Sequence, residues 1–258
     1  MENKEMKVVF SPTKGMLDVP THYCPGCTHG LIHRLVGECM EELGILEKTI
    51  GVAPVGCSVL AYDYFACDMF EAAHGRAPAT ATGIKRSNPD KVVFTYQGDG
   101  DLAAIGAAEV VHAAARAENI VTVFVNNCIY GMTGGQMAPT TLPGQVTETS
   151  PYGRDIKQAG FPIRVSEMIS EIDGAYYVER VAVDNVANVT KAKRAIKKAF
   201  QNAIDGKGYN LVEVLSICPT NWGLSTEESI NWLRNNMMPF YTLGVKKDKD
   251  AVKKEEVK

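Results

Sequence analysis

No apolar run in these 258 residues approaches the roughly 20 needed to cross a bilayer. The opening stretch, MENKEMKVVF, lacks the apolar core of a signal peptide. A cytoplasmic protein that neither enters nor crosses a membrane is therefore expected. No strong excess of one charge is present either: the formal net charge is −3, which offers nucleic acid little to hold. Internal repeats are absent. So is the dinucleotide fingerprint GxGxxG, because Gly98, Gly100 and Gly106 have the wrong spacing. An EF-hand starting at Asp99 fails as well, since Ala103 and Val110 fall where oxygen ligands are required. In a reducing compartment the seven cysteines are poor candidates for structural disulfides and better ones for metal binding or catalysis.

The chain does have a globular balance, 45% hydrophobic and 22% charged. Strand-like and helix-like segments alternate. The stretch 28–44 carries Leu31, Ile32, Leu35, Val36, Cys39, Met40 and Leu43 at helical spacing, with Thr28 as N-cap and Gly44 as stop. Strands are expected at 49–56, 91–97, 119–127, 175–183 and 210–217, and helices at 101–117, 188–204 and 226–236. This order predicts an α/β fold, a mostly parallel twisted sheet with helices on both faces. One domain is expected over residues 1–244, followed by a charged, disordered tail, 245–258. The long Gly-, Pro- and Thr-rich stretch 130–174 reads as a functional loop.

Two patterns carry chemistry. In the first, YQGDGD follows a strand and opens a helix, and the next strand ends in Asn126-Asn127. Asp99 and Asn127 are 28 residues apart, one strand–helix–strand crossover. Both then fall at the carboxyl edge of neighbouring parallel strands, where open α/β sheets bind ligands. A carboxylate and an amide oxygen suit Mg²⁺. Gly98 and Gly100 admit a phosphate close to the backbone, and the helix starting near Asp101 turns its N-terminus to the anion. A lone GDG is usually a surface turn; the Asn pair one crossover later makes this one specific.

The second pattern is HYCPGCTHG. Cys24 and Cys27 could be a redox dithiol, or half of a four-thiolate zinc or iron–sulfur site. Cys39 lies twelve residues along the following helix, roughly 18 Å away, and on its apolar stripe. Cys67 also reads as core, and Cys128 as a neighbour of the Asn pair. Cys57 and Cys218 each follow a strand directly, so they share the sheet edge with Asp99 and Asn127 and can converge with Cys24 and Cys27.

The GDG–NN pairing resembles the diphosphate motif of thiamine diphosphate enzymes. That resemblance implies Mg²⁺ bound by Asp99, Asn127 and the Ile129 carbonyl, with Ser58, Gly98, Gly100, Asp101 and His74 around the cofactor. CPGC, a later GC, HGRAPATATGIK, GDGD, NNCIYGMTGGQ and a late Cys-Pro together resemble the β subunit of 2-oxoacid:ferredoxin oxidoreductases over residues 20–225. Membership would imply a thiamine-diphosphate-binding fold of the diphosphate type. It would place a [4Fe–4S] cluster on Cys24, Cys27, Cys57 and Cys218, and imply oxidative decarboxylation of a 2-oxoacid, with coenzyme A taking the acyl group and ferredoxin the electrons. The activating Glu is then expected on an α subunit with the pyrimidine-binding domain, alongside a ferredoxin-like subunit, a γ subunit and soluble ferredoxin.

Ser58, Val59 and Leu60 after Cys57, and Thr133-Gly134-Gly135-Gln136, carry no charge and favour a branched-chain acid such as 2-oxoisovalerate over 2-oxoglutarate or pyruvate. Two other classes compete. A cluster-free thiamine diphosphate decarboxylase leaves the four cysteines unexplained, and a zinc-stapled interaction domain leaves Asp99 and Asn127 unexplained. Among smaller features, His29 and His33 read as a partly exposed helix face, Arg76 as an ion-pair partner, and the lysines of 188–204 as a solvated face.

Overall fold

The computed structural model describes residue 8 and residues 10–251. Its helices and strands in chain order, short 3-10 and π turns aside, are α1 (His29–Glu42), β1 (Thr49–Ala53), β2 (Asp68–Glu71), α2 (Ala77–Ser87), β3 (Val92–Gly98), α3 (Ala107–Ala115), β4 (Val121–Asn126), α4 (Ile156–Ala159), α5 (Val165–Ser170), β5 (Ala175–Ala182), α6 (Val186–Ile204), β6 (Tyr209–Leu215), α7 (Pro219–Trp222), α8 (Thr226–Trp232), α9 (Met238–Phe240) and β7 (Gly244–Asp248). One sheet contains all seven strands in the order β2-β1-β3-β4-β6-β5-β7. Every pairing is parallel except that of β7, which runs antiparallel along β5.

The central strands are predominantly apolar because helices cover both faces. Successive residues of β3 alternate between two cores. Phe94 and Tyr96 pack with Ile32, Val36 and Met40 of α1 and Ile196 and Phe200 of α6. Val93 packs on the opposite face with Ala81 of α2 and Val110 and Ala113 of α3. Each fully buried side chain of this size contributes roughly 1.5–3 kcal/mol.

Several local expectations change. Thr28 precedes α1, but its side chain caps nothing there; its hydroxyl lies 2.6 Å from Ser216 Oγ, tying α1 to the end of β6. Gly44 does end the helix, at φ +64°. The expected helix 101–117 is interrupted: Gly106 N donates to Asp101 O at 2.8 Å, a wide i→i+5 turn, before α3 begins. The expected disordered tail opens with β7, whose Lys198–Asp248 ion pair joins it to α6; residues 252–258 lie outside the described residues.

Candidate active site

The chain leaves β1 toward β2 on one side and returns through β3 on the other, so the crevice outside β1 and β3 is a topological switch point. Four neighbouring parallel strands end there. β1 leads to Cys57, β3 to Asp99, β4 to Asn127 and β6 to Cys218.

Two cavities open along this edge. One, of about 340 Å³, is lined by Cys24, Cys27, Cys57 and Cys218, with Tyr23, His29, Met132 and Asn221. The other, of about 100 Å³, is lined by Gly98, Asp99, Gly100, Asp101, Asn127, Ile129 and His74. His29, Cys57, Asn127, Gly131 and Met132 belong to both walls.

In the smaller cavity the Asp99 carboxylate is buried and fixed. Its Oδ1 accepts from Gly100 N at 2.8 Å, and its Oδ2 from Thr140 Oγ1 at 2.5 Å and Ile129 N at 3.2 Å. Burial pushes Asp99 up to about 6, and these donors oppose the shift. Asn127 Oδ1 lies 3.3 Å from Ile129 N, so both side chains share one amide. The two glycines act differently. A Cβ on Gly98 would meet open space, whereas one on Gly100 would collide with the Tyr130 ring. Asp101 is engaged by its own neighbours: Oδ1 lies 2.6 Å from both His74 Nδ1 and Gly75 N, and Oδ2 accepts from Gln97 at 2.6 Å. It orients His74 on the cavity wall. Ser58 departs from expectation. It is buried, lines neither cavity, and its hydroxyl has no partner, because the turn after Cys57 points it into the protein.

In the larger cavity Cys24 is exposed, Cys27 and Cys57 are half-buried and Cys218 is buried. Burial raises Cys27 to about 11, against the lowering effect of the nearby His29 backbone N–H, and raises Cys57 to about 12. Gly131 keeps space beside the thiols: a Cβ there would stand 3.1 Å from Cys57 Sγ and 3.5 Å from Cys218 Sγ. Among the described residues, no three His, Cys, Asp or Glu side chains close on a single point as ligands of one ion would. Cys39 is core. Cys67 packs against Met69, and Cys128, at φ +59°, turns its sulfur away toward Asn126.

His29 and His33 are not a helix face open to solvent, as the sequence suggested; they are 2% and 0% exposed. Their cover comes from distant residues. His29 Nδ1 lies 2.8 Å from Tyr96 OH, His33 Nε2 lies 2.8 Å from Tyr23 OH, and the His33 ring stacks on Phe65. Burial lowers His29 to about 3, so it is neutral. Arg76 pairs with Glu109, as expected of an ion-pair partner. Thr140, Arg154 and Asn221 carry no sequence signal, yet the first holds Asp99 and the last lies beside Cys218.

The family model for the thiamine pyrophosphate enzyme C-terminal TPP-binding domain matches residues 54–214. Ketoisovalerate oxidoreductase subunit VorA of Methanothermobacter thermautotrophicus is 48% identical over 243 residues, 94% of this chain and 51% of the relative. The chain thus spans about half the length of that protein. The 2-oxoglutarate synthase subunit KorB of Methanocaldococcus jannaschii is 40% identical over 80% of this chain and 72% of its own. A solved structure, the 2-oxoglutarate:ferredoxin oxidoreductase from Magnetococcus marinus with 2-oxoglutarate, coenzyme A and succinyl-CoA bound, superposes with a TM-score of 0.75. It is 30% identical and the match covers 88% of this chain and 73% of that one. A switch-point crevice with a fixed Asp–Asn pair, in a chain with these relatives, belongs to the 2-oxoacid:ferredoxin oxidoreductase family of thiamine pyrophosphate enzymes.

Proposed function

We propose that this chain is the thiamine-diphosphate-binding subunit of an enzyme that oxidatively decarboxylates a branched-chain 2-oxoacid to its acyl-CoA, with ferredoxin as electron acceptor. One observation carries the reading: the cysteine cavity and the Asp99–Asn127 cavity share walls, so a two-electron centre and a one-electron carrier would sit side by side. When bound, thiamine diphosphate supplies the electron sink for decarboxylation, and a [4Fe–4S] cluster takes electrons singly.

The chain's own residues would position both. Asp99, Asn127 and the Ile129 carbonyl would hold Mg²⁺, whose charge would favour the ionised form of Asp99 against the effect of burial. The open space at Gly98 lets diphosphate oxygens approach the backbone. His74, held by Asp101, lines the same cavity and would donate to that diphosphate. Cys24, Cys27, Cys57 and Cys218 would ligate the cluster. All four cysteines line one cavity of about 340 Å³, which is the support for their acting together. Met132 and neutral His29 keep the shared wall uncharged.

Among the described residues no Lys or Arg lines either cavity. A second carboxylate, as in 2-oxoglutarate, would find no cation on this chain. The identity to the ketoisovalerate subunit supports the same choice. The KorB relative and the Magnetococcus enzyme make 2-oxoglutarate the second reading. The ketoisovalerate and KorB relatives are named as subunits, and we assign the activating Glu to an α-type partner with the pyrimidine-binding half, accompanied by ferredoxin-like and γ subunits.

The test is ferredoxin reduction by the anaerobically purified complex with Mg²⁺, thiamine diphosphate and coenzyme A, offered 2-oxoisovalerate, 2-oxoglutarate and pyruvate separately. The highest kcat/KM is expected with 2-oxoisovalerate. Preference for 2-oxoglutarate would overturn the substrate, and no reduction with any acid would overturn the reaction.

A further inference from the structure

Cys218 differs from the other three cavity cysteines in its donors. It directly precedes α7, and Asn221 in that short helix reaches back to it. Asn221 Nδ2 lies 3.3 Å from Cys218 Sγ and 2.8 Å from Gly131 O. An amide nitrogen carries two hydrogens, so one side chain can serve both acceptors at once. The Gly131 carbonyl also fixes which way the amide faces, since the flipped rotamer would set oxygen against oxygen. The amide oxygen then faces the loop at Gly135, where a Cβ would come within 3.2 Å of it. Asn221 therefore stands between the sulfur of Cys218 and the loop bearing Met132, which lines both cavities.

We propose that Asn221 is a redox-positioning residue: it sets the reduction potential of the cluster through its N–H···S bond to Cys218 and fixes the wall between cluster and cofactor through Gly131. The inference rests on the cluster reading above. A thiolate ligand gains negative charge when its cluster takes an electron, so donors aimed at the sulfur favour the reduced form and raise the potential. Asn221 makes the cluster a readier acceptor than its four thiolates alone would.

The experiment uses the complete complex, purified without oxygen, with wild-type chain, Asn221→Ala and the isosteric Asn221→Asp. Iron and acid-labile sulfide are counted per chain, and the potential is read by an EPR-monitored redox titration. Both variants are expected to keep their iron and to titrate lower. About a tenfold change in the one-electron equilibrium, about 59 mV, is expected for Ala, and a larger fall for Asp, which sets a carboxylate against the sulfur. If Ala fails to retain iron, Asp carries the test by the same criterion. An iron-replete variant with an unchanged potential overturns the proposal. Loss of iron from both variants, with the wild type loaded, assigns Asn221 a structural role and overturns it too. A wild-type complex without iron overturns the underlying cluster reading instead.

Discussion

At the residue scale the site depends on small volumes. Gly131 keeps its glycine for the two sulfurs, since no left-handed backbone angle requires it there. Gly131→Ala should therefore fold with a stability change within about 1 kcal/mol. It should lose iron affinity by about tenfold or more, because the methyl group occupies space the thiolates need. Iron per chain and a thermal melt check both halves; a fully loaded Gly131→Ala complex would remove the steric argument. The Asp–Asn pair was legible in the sequence because strand–helix–strand spacing is regular. Asn221, Thr140 and the burial of His29 were not. Each depends on a residue far along the chain, such as Gly131, Asp99 or Tyr96, and no local pattern encodes such a contact.

At the element scale, the loop after β4 is held by one buried cation. The Arg154 guanidinium donates to the carbonyls of Ala138, Pro139, Thr141, Ala159 and Gly160 at 2.8–3.2 Å. It thereby fixes the segment from which Thr140 reaches Asp99. Arg154→Ala should cost about 3 kcal/mol by orphaning those carbonyls. It should also weaken Mg²⁺–thiamine diphosphate binding, read by calorimetry, and speed amide exchange across 138–160; native-like exchange there would refute the role.

A second junction joins β5 to α6. Asp184 is nearly buried, which alone would raise its pKa. Donors from Asn188, Arg234 and Asn185 outweigh that and hold it below the usual carboxylate range. A depressed folded pKa means the native state binds the proton less tightly. The stability is present above the unfolded value near 3.8 and lost as pH falls through the folded one. Asp184→Ala should lower stability at pH 7 by about 1–3 kcal/mol and flatten the acid limb below about pH 4 in urea titrations. An unchanged acid limb would contradict it.

Strands β1, β3, β4, β5 and β6 were readable because strands covered on both faces are mostly apolar, even where β5 and β6 carry Glu179, Arg180 and Glu213. The edges were not. β2 is four residues, Asp-Met-Phe-Glu, and β7 is Gly-Val-Lys-Lys-Asp, charged as edge strands tend to be and thus easily mistaken for a solvated tail.

At the scale of the whole molecule, the proposed reading gives this chain the diphosphate half of a site, with a set of thiols beside it. No Glu lines either cavity among the described residues to activate an aminopyrimidine. The chain purified alone should therefore bind Mg²⁺–thiamine diphosphate yet reduce no ferredoxin, and turnover should appear on adding the partner subunit. Steady-state assays of the separate and mixed chains decide this; turnover by the single chain would refute it.

Cys24 alone among the four thiols is exposed. That corner is a door, and a door does not choose who uses it. If the proposed cluster is held by these cysteines, an electron acceptor docking there would reach it through residue 24, and dioxygen would have the same route. Oxygen lability should thus depend on whatever stands over residue 24: brief in the bare chain, and prolonged in any assembly that closes the opening between turnovers.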